Sequence, residues 1–192
     1  MAQARVLADR VIPGEGLAWD AARVGAANLL MVACAYVAIP LSWTAVPFTM
    51  QTFGLAFIAA MLGAKRSALV MTLYLVEGAM GLPVFQPFGA PGPLRLMGPT
   101  AGYLWAYPAA AYVTGWLVEC CAGRSLWRLG GALAAGQMIV FAGGVAWLAL
   151  GIGLTWAAAF WGGVAPFVLG DVVKMALVMV AVRGVELAKQ RV

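Results

Sequence analysis

Two long stretches of this sequence contain no charged residue, and they constrain the fold more than any other feature. They run from Val24 to Ala64 and from Leu129 to Gly170, which is 41 and 42 residues. A helix needs about 20 apolar residues to cross a bilayer, so each stretch can supply two crossings. Only 10% of the residues are charged, against about 25% in soluble proteins. We therefore predict an integral membrane protein.

Six spans fit the hydropathy of the chain. Each is predicted to be a helix, because backbone groups that face lipid must be paired within their own segment, and the 24 glycines favour close packing in a compact all-α bundle. Residues 1–23 and 184–192 are predicted to be tails of a membrane domain, 24–183; the first tail has six charges and no apolar core, so we do not expect it to be a secretory signal. The predicted spans are Val24–Pro40, Pro47–Ala64, Ser67–Leu82, Thr100–Cys120, Gly131–Leu150 and Val164–Arg183.

The positively charged residues predict which side of the membrane the chain ends occupy. Cytoplasmic loops are enriched in Lys and Arg, and a six-span arrangement places ten of the twelve cations on one side. Both termini are therefore predicted to be cytoplasmic, with Arg95 and Lys174 as the two exceptions at the outer side. The other ten are Arg5, Arg10, Arg23, Lys65, Arg66, Arg124, Arg128, Arg183, Lys189 and Arg191.

An acid and a base stand near the start of the sixth span. Asp171 and Lys174 are three residues apart, which puts both side chains on one face of a helix. Each costs about 2.5–3.5 kcal/mol at membrane depth on insertion scales, so such groups usually face the bundle interior and pair. Two interpretations follow. The residues form an ion pair that fixes helix packing, or they form a ligand site in which the carboxylate accepts N–H donors.

The loop Pro83–Gly98, after the third span, is apolar, aromatic and rich in proline. We expect it to fold over a pocket as a lid, where the planar guanidinium of Arg95 would suit a carboxylate. The alternative is an ordinary surface arginine. With the acid and base of the sixth span, Arg95 predicts an outward-facing site for a small anionic ligand that has an apolar body and N–H donors.

Other polar and aromatic residues have more ordinary explanations. Glu77 is predicted to be interfacial or structural, with a ligand role second, and interhelical hydrogen bonds account for Asn28 and Gln137. Interfacial belts account for most aromatic residues at the outer ends of the spans, although some, Tyr103 among our candidates, can line a pocket. These aromatic residues are Trp43, Phe48, Phe85, Phe88, Tyr103, Trp156 and Trp161.

Several function classes lack the residues that they need. The chain has no histidine, which removes the commonest general base and metal ligand. Cys34, Cys120 and Cys121 suit neither a metal site nor a disulfide framework, and Gly92–Gly98 lacks the Lys-Ser/Thr of a phosphate-binding loop. We expect no catalytic residue, metal or cofactor. The net charge of +5 reflects membrane topology rather than nucleic-acid binding. An intramembrane enzyme and a scaffolding protein are the rival classes.

Four strings of the sequence resemble one protein family. VPFTMQTF (Val46–Phe53), LYLVEGAMGLPVF (Leu73–Phe85), GPTAGYL (Gly98–Leu104) and GDVVKMAL (Gly170–Leu177) resemble the BioY family, the biotin-specific substrate-binding components of energy-coupling-factor (ECF) transporters. The resemblance implies a six-helix bundle in a prokaryotic plasma membrane that binds biotin from outside. Its implied partners are a transmembrane coupling (T) component and two ATP-binding-cassette ATPases. A stand-alone biotin facilitator is the alternative within the family.

The same resemblance implies specific ligand contacts. The family's acid and lysine fall on Asp171 and Lys174, its loop arginine on Arg95, and its loop amide on Gln86. Asp171 would accept an N–H from the ureido group of biotin, and Lys174 would meet the ureido carbonyl. Arg95 and Gln86 would hold the carboxylate. The reverse orientation, with Lys174 on the carboxylate, is the alternative.

Two further pairs of residues have open roles. Thr49 and Gln51 belong to a matching string and either touch the ligand or shape the turn before the second span. Family members of this type dock on the coupling protein through small residues of the first helix. Here Ala22 and Ala26 form a small-xxx-small step, continued by Ala33, that permits close helix approach. The alternative is tight packing inside this bundle.

Overall fold

The computed structural model describes residues 7–11, 14–120 and 125–190 of the chain. It is a helical bundle with one short antiparallel hairpin, in which β1 Ala38–Ile39 pairs with β2 Phe48–Thr49. A 3₁₀ helix covers Gly92–Leu96. The α-helices are α1 Leu7–Val11, α2 Leu17–Tyr36, α3 Gln51–Ala79, α4 Ala101–Cys120, α5 Leu126–Leu150, α6 Trp156–Gly163 and α7 Val168–Gln190.

Helix α3 folds back on itself at Gly63, whose backbone is not helical (φ 75°, ψ −174°). At 1.5 Å per residue, Gln51 and Tyr74 would lie roughly 35 Å apart on a straight helix. Instead, Gln51 Nε2 donates a hydrogen bond to the Tyr74 hydroxyl at 2.8 Å. The two arms of α3 are therefore antiparallel, and they correspond to the second and third predicted spans.

Helix α4 supports this reversal by close contact. A Cβ added at Gly115 would overlap the backbone of Gly63 and Ala64, so only glycine lets α4 approach the turn. Glu119 accepts a hydrogen bond from the Ala64 N–H at 2.9 Å. From the second arm of α3, Ser67 Oγ donates to the Ala111 carbonyl of α4 at 3.1 Å. These contacts hold both arms of α3 against α4.

The helices coincide with the predicted spans but differ at their ends. Helix α2 begins at Leu17 rather than Val24. The β1–β2 hairpin takes the place of the last residues of the first predicted span, which was to end at Pro40, and of the first residues of the second, which was to begin at Pro47. The predicted loop before the sixth span contains α6, whose N-terminus is capped by Thr155 accepting from the Ala158 N–H at 3.2 Å. Helices α6 and α7 meet at 47°.

Length and composition alone identify fewer crossings than the sequence predicts. Among the described helices, α2, α3 and α5 are long and apolar enough to span a membrane, and the bent pair α6–α7 makes a fourth candidate. Helix α4 falls short because it contains Pro108 and several Tyr and Trp residues. The two arms of α3 count as one helix in this test. The number of six crossings and the side of each terminus stay predictions.

Four charged residues gather where α1 and the start of α2 meet the reversal of α3, and we call them the N-terminal charge cluster. Arg23 lies 2.8 Å from Asp20 and 3.3 Å from Asp9, and Arg66 lies 2.6 Å from each acid. Each guanidinium thus faces both carboxylates. Other cations of the orientation argument, namely Arg5, Arg124, Arg191 and the side chains of Arg10 and Lys189, lie outside what the structure describes, as does Cys121.

Candidate functional site

A cavity with about 570 Å³ of empty space, its mouth included, lies between α3, α4, α5, α7 and the Pro83–Gly98 loop. Its walls are partly aromatic and aliphatic, with Phe85, Tyr103, Phe141 and Phe167 among them. Sequence-predicted site residues and several others supply its polar groups. The polar side chains are those of Thr49, Gln51, Thr52, Gln86, Arg95, Thr100, Tyr103, Tyr107, Gln137, Asp171 and Lys174.

The buried ammonium of Lys174 has a partner for each of its three N–H groups. It donates to Asp171 Oδ1 at 2.8 Å, to Thr52 Oγ1 at 3.0 Å and to the Thr49 carbonyl at 2.6 Å. An ammonium has no further donor. Lys174 therefore ties the first turn of α7 to β2 and the start of α3.

Asp171 is also buried, but it is not fully engaged. Its Oδ1 accepts from Thr52 Oγ1 at 2.9 Å and from Lys174, and its Oδ2 accepts from Gln137 Nε2 at 2.7 Å. A carboxylate offers about four lone-pair positions. Asp171 is thus the member of the pair that retains capacity to accept from a ligand.

Glycine and aromatic packing bring the hairpin close enough for these contacts. A Cβ added at Gly170 would overlap the Phe48 ring, so glycine lets β2 lie directly against α7. Lys174 Nζ lies 3.9 Å from the centroid of the Phe48 ring, and Phe48 stacks on Phe167 with centroids 6.4 Å apart. The ammonium is therefore enclosed by an aromatic face as well as by oxygens.

Arg95 is buried in the 3₁₀ helix, with 7% of its surface exposed, so the surface-arginine alternative is wrong. Its guanidinium donates to the carbonyls of Gln86, at 3.1 Å, and of Phe88. Burial lowers the pKa of Arg95, and the electrostatic effect of Tyr74 partly opposes this shift; arginine nevertheless stays charged at neutral pH. In the described part of the chain, Arg95 Nε and Gln86 Oε1 are buried without a hydrogen-bond partner.

Three side chains of the bundle anchor the Pro83–Gly98 loop through its backbone carbonyls. Tyr36 donates to Pro83 at 2.5 Å, Trp105 to Leu96 at 3.1 Å, and Trp147 to Gly98 at 2.9 Å. The loop forms a wall of the cavity through Phe85, Gln86 and Arg95.

The structure distinguishes aromatic residues that line the cavity from aromatic residues on the surface, which the sequence alone could not do. Phe85 and Tyr103 are buried and line the cavity, and the Tyr103 hydroxyl donates to the Gly163 carbonyl at 2.8 Å. Trp43, Trp156 and Trp161 are 71%, 60% and 70% exposed. The first two thus contribute walls, whereas the tryptophans face the surroundings.

Asn28 and Gln137, for which the sequence predicted interhelical hydrogen bonds, lie in different parts of the bundle. Asn28 Nδ2 donates to Glu77 Oε1 at 2.5 Å, which confirms an interhelical bond away from the cavity. Gln137 also makes the predicted interhelical bond, but its partner is Asp171 and it lines the cavity. The sequence analysis did not place Gln137 in the cavity, because the sequence showed only that it is a polar residue within a predicted span.

The string around Thr49 contributes more to the cavity than the sequence indicated. Thr49 and Gln51 both line it, and the Thr49 hydroxyl also accepts from the Gln51 N–H at 3.3 Å in the turn that starts α3. Thr52, which the sequence analysis did not select, bridges Asp171 and Lys174. Within the described residues, no group of three or more His, Cys, Asp and Glu side chains could hold a metal ion.

The small residues of α2 lie on its surface. Ala22 and Ala26 are exposed, and Ala33 is exposed further along the same helix. The alternative of tight packing inside this bundle therefore does not describe Ala22 and Ala26. With Gly25 and Leu29, which are also exposed, they form a continuous stripe at helical spacing.

Comparison with known proteins identifies a family whose model covers nearly the whole chain. Residues 7–191 match the model of the BioY family. The biotin transporter BioY of Rhodobacter capsulatus is 39% identical over 171 residues, covering 79% of this chain and 85% of that protein. The biotin transporter BioY of Thermotoga maritima is 42% identical over 97 residues, which is 50% of this chain and only 56% of that protein. The probable biotin transporter BioY of Pyrococcus horikoshii is 35% identical, covering 70% and 77%.

A solved structure has the same fold. It is the crystal structure of the S-component for biotin from an ECF-type ABC transporter, and it aligns with a TM-score of 0.78 over 90% of this chain and 95% of that one. The two sequences are 19% identical, so this likeness shows the fold alone. A multi-pass helical membrane bundle of this fold, matched by the family model over nearly its full length, is a member of the BioY family.

Proposed function

We propose that this protein binds biotin from the outer face of the plasma membrane of a prokaryote and serves as the substrate-specific component of an ECF transporter. The relatives named above are described as biotin transporters. The observation that carries the proposal is the set of groups with unused hydrogen-bonding capacity around one cavity: Asp171 Oδ2, Gln86 Oε1 and Arg95 Nε. Buried polar groups are normally paired, so such a set favours a ligand.

The chemistry of biotin fits these groups. Biotin has a ureido group with two N–H donors and one carbonyl, an apolar thioether ring, and a carboxylate on a flexible chain. The spare lone pair of Asp171 would accept a ureido N–H, and the aromatic walls would contact the ring. At the carboxylate end, Arg95 would donate a guanidinium N–H and Gln86 an N–H of its side-chain amide, because a carboxylate only accepts hydrogen bonds.

The hydrogen bonds of Lys174 favour one of the two orientations. To bind the biotin carboxylate, Lys174 would have to give up one of three existing partners. Arg95 has an N–H without a partner and needs no such exchange. We therefore place the carboxylate at Arg95 and the ureido group beside Asp171, where Lys174 offsets the buried acid.

The topology follows from the same proposal. The membrane domain is 24–183, the tails 1–23 and 184–192 are cytoplasmic, and the six spans place the cavity at the outer face. Arg95 and Lys174, the two cations that break the positive-inside pattern, both line the cavity. Their role in the cavity thus accounts for their position. The protein has no enzymatic activity in this account.

The proposed partners are a T component and two ATP-binding-cassette ATPases. Helix α2 would dock on the T component through its exposed stripe at Ala22 and Ala26, because small residues allow close helix approach. Ala26→Trp should abolish copurification with the T component and leave biotin affinity unchanged. Leu177→Trp, at an exposed site on α7, is the control and should change neither copurification nor biotin affinity. Normal assembly of the Ala26 variant would contradict the docking site.

A titration tests the ligand directly. The purified protein in detergent is titrated with biotin, and with thiamin and riboflavin as controls, by isothermal calorimetry. We expect tight binding of biotin alone. Failure to bind any of the three vitamins, or equal binding of all, would overturn the proposed function.

A further inference from the structure

Gln137 lies on helix α5, lines the cavity and donates a hydrogen bond to the carboxylate of Asp171. Its Nε2 lies 2.7 Å from Asp171 Oδ2, the oxygen that does not contact Lys174. Because an ionised carboxylate only accepts hydrogen bonds, the amide must present its nitrogen to Asp171. The amide oxygen is then the atom that remains for other partners.

Close packing of α4 and α5 fixes the register of Gln137. A Cβ added at Gly136 would overlap the Thr114 hydroxyl, and one added at Gly144 would overlap the Tyr103 ring. Both glycines are buried against α4, which leaves little freedom for α5 to rotate. Gln137 is consequently held at the cavity wall by its own helix as well as by Asp171.

From this geometry we infer that Gln137 is a positioning and specificity residue for the cavity. Its Nε2 sets which way the Asp171 carboxylate faces, and its Oε1 serves as a second acceptor beside it. Within the described part of the chain, Gln137 Oε1 accepts no hydrogen bond. One wall thus offers a carboxylate oxygen and an amide oxygen together.

Two adjacent acceptors suit a ligand group with two N–H donors. A cyclic urea has such a pair, whereas a cyclic carbamate or a lactam has only one. This inference rests on the proposed function, since it assigns the two ureido N–H groups of biotin to Asp171 and Gln137. It predicts that the protein selects for the complete urea and not only for the carboxylate and the ring.

The test compares biotin with its two cyclic carbamate analogues, in each of which one ureido N–H is replaced by oxygen. Wild-type protein should bind each analogue about tenfold or more weakly than biotin, because each loses one hydrogen bond to a buried acceptor. In Gln137→Leu, biotin should bind about tenfold more weakly, and one of the two analogues should bind as well as biotin does. A ratio of affinities reports on ligand contact, since a purely structural defect weakens all three ligands alike.

Asn28→Leu is the matched control, because Asn28 is also an intramembrane amide that donates to a carboxylate, that of Glu77, away from the cavity. It should keep the wild-type affinities and ratios. Any of three outcomes overturns the inference. The wild-type protein binds biotin and the analogues equally, or Gln137→Leu keeps the wild-type affinity ratios, or Asn28→Leu changes those ratios as Gln137→Leu does. Wild-type protein that binds biotin in none of these assays overturns the proposed function as well.

Discussion

Among the described residues, acidic side chains meet buried basic ones in two regions, which lie at opposite ends of the arms of α3. In the N-terminal charge cluster, two guanidinium groups face two carboxylates and the charges balance. Around the cavity, Asp171 and Lys174 also balance, but Asp171 Oδ2, Gln86 Oε1 and Arg95 Nε retain unused capacity. Charge pairing alone is thus no sign of a ligand site in a membrane protein. Unsatisfied polar groups around a cavity are the more informative sign.

The largest effect on ligand affinity is expected for Asp171→Asn. It should weaken biotin binding on the order of 10- to 100-fold, because a hydrogen bond to a charged group contributes about 1.5–3 kcal/mol. The amide can still accept from Lys174, so the protein should fold. Titration calorimetry measures the affinity, and Asp20→Asn in the N-terminal charge cluster is the control. Unchanged affinity in Asp171→Asn would sink the assignment.

A smaller and ligand-dependent effect is expected for Arg95→Gln. Biotin should bind about tenfold more weakly, while biotin amide, which has no carboxylate, should bind this variant and the wild type alike. The loop keeps its anchors at Tyr36, Trp105 and Trp147 in the variant. Competition binding with both ligands measures the difference. Equal losses for biotin and its amide would mean that Arg95 supports the loop rather than the carboxylate.

Arg23→Met changes the N-terminal charge cluster and leaves the cavity intact. It removes a buried guanidinium that contacts Asp9, Asp20 and the Gly14 carbonyl. We expect a loss of about 1–2 kcal/mol of stability, because the two acids are partly exposed and keep Arg66 as a partner. Biotin affinity should not change. Thermal unfolding with a parallel titration checks both, and a weaker affinity would refute the separation of the two regions.

The smallest effect is expected for Arg183→Gln. The Arg183–Glu186 pair is 2.9 Å apart and half-exposed on the arginine side, and exposed pairs contribute about 0–1 kcal/mol. Neither thermal stability nor biotin affinity should change measurably. A clear loss in either measurement would show that charge pairs outside the cavity and the N-terminal charge cluster also carry weight.

The membrane bundle could be predicted because hydrocarbon leaves an apolar chain few alternatives to a helix. Arg95 and Lys174 were identified because they were the two exceptions in the predicted distribution of cations, and both line the cavity. The β1–β2 hairpin and α6 were not predicted, since they occupy apolar segments that hydropathy does not distinguish from spans or loops. These elements depend on local hydrogen bonds.

Contacts between residues that are far apart in the chain could not be predicted from the sequence for a different reason. Gln137 and Asp171 are 34 residues apart and meet because α5 and α7 pack around the same cavity. Nothing in the spacing of these two residues along the chain indicates that contact. The same holds for Thr52 and Lys174, which are 122 residues apart. Packing, rather than any local pattern, decides which polar side chains share the cavity.

The role of Asp171 in biotin binding is measured by the shift in the midpoint of thermal unfolding when excess biotin is added to wild-type protein, Asp171→Asn and Arg66→Met. A ligand present at 100 times its dissociation constant stabilises the folded state by about 2.7 kcal/mol. We expect equal upward shifts for the wild type and Arg66→Met, although the latter starts from a lower midpoint, and a much smaller shift for Asp171→Asn. A full shift in Asp171→Asn, or the loss of the shift in Arg66→Met, would show that biotin does not bind beside Asp171 as proposed.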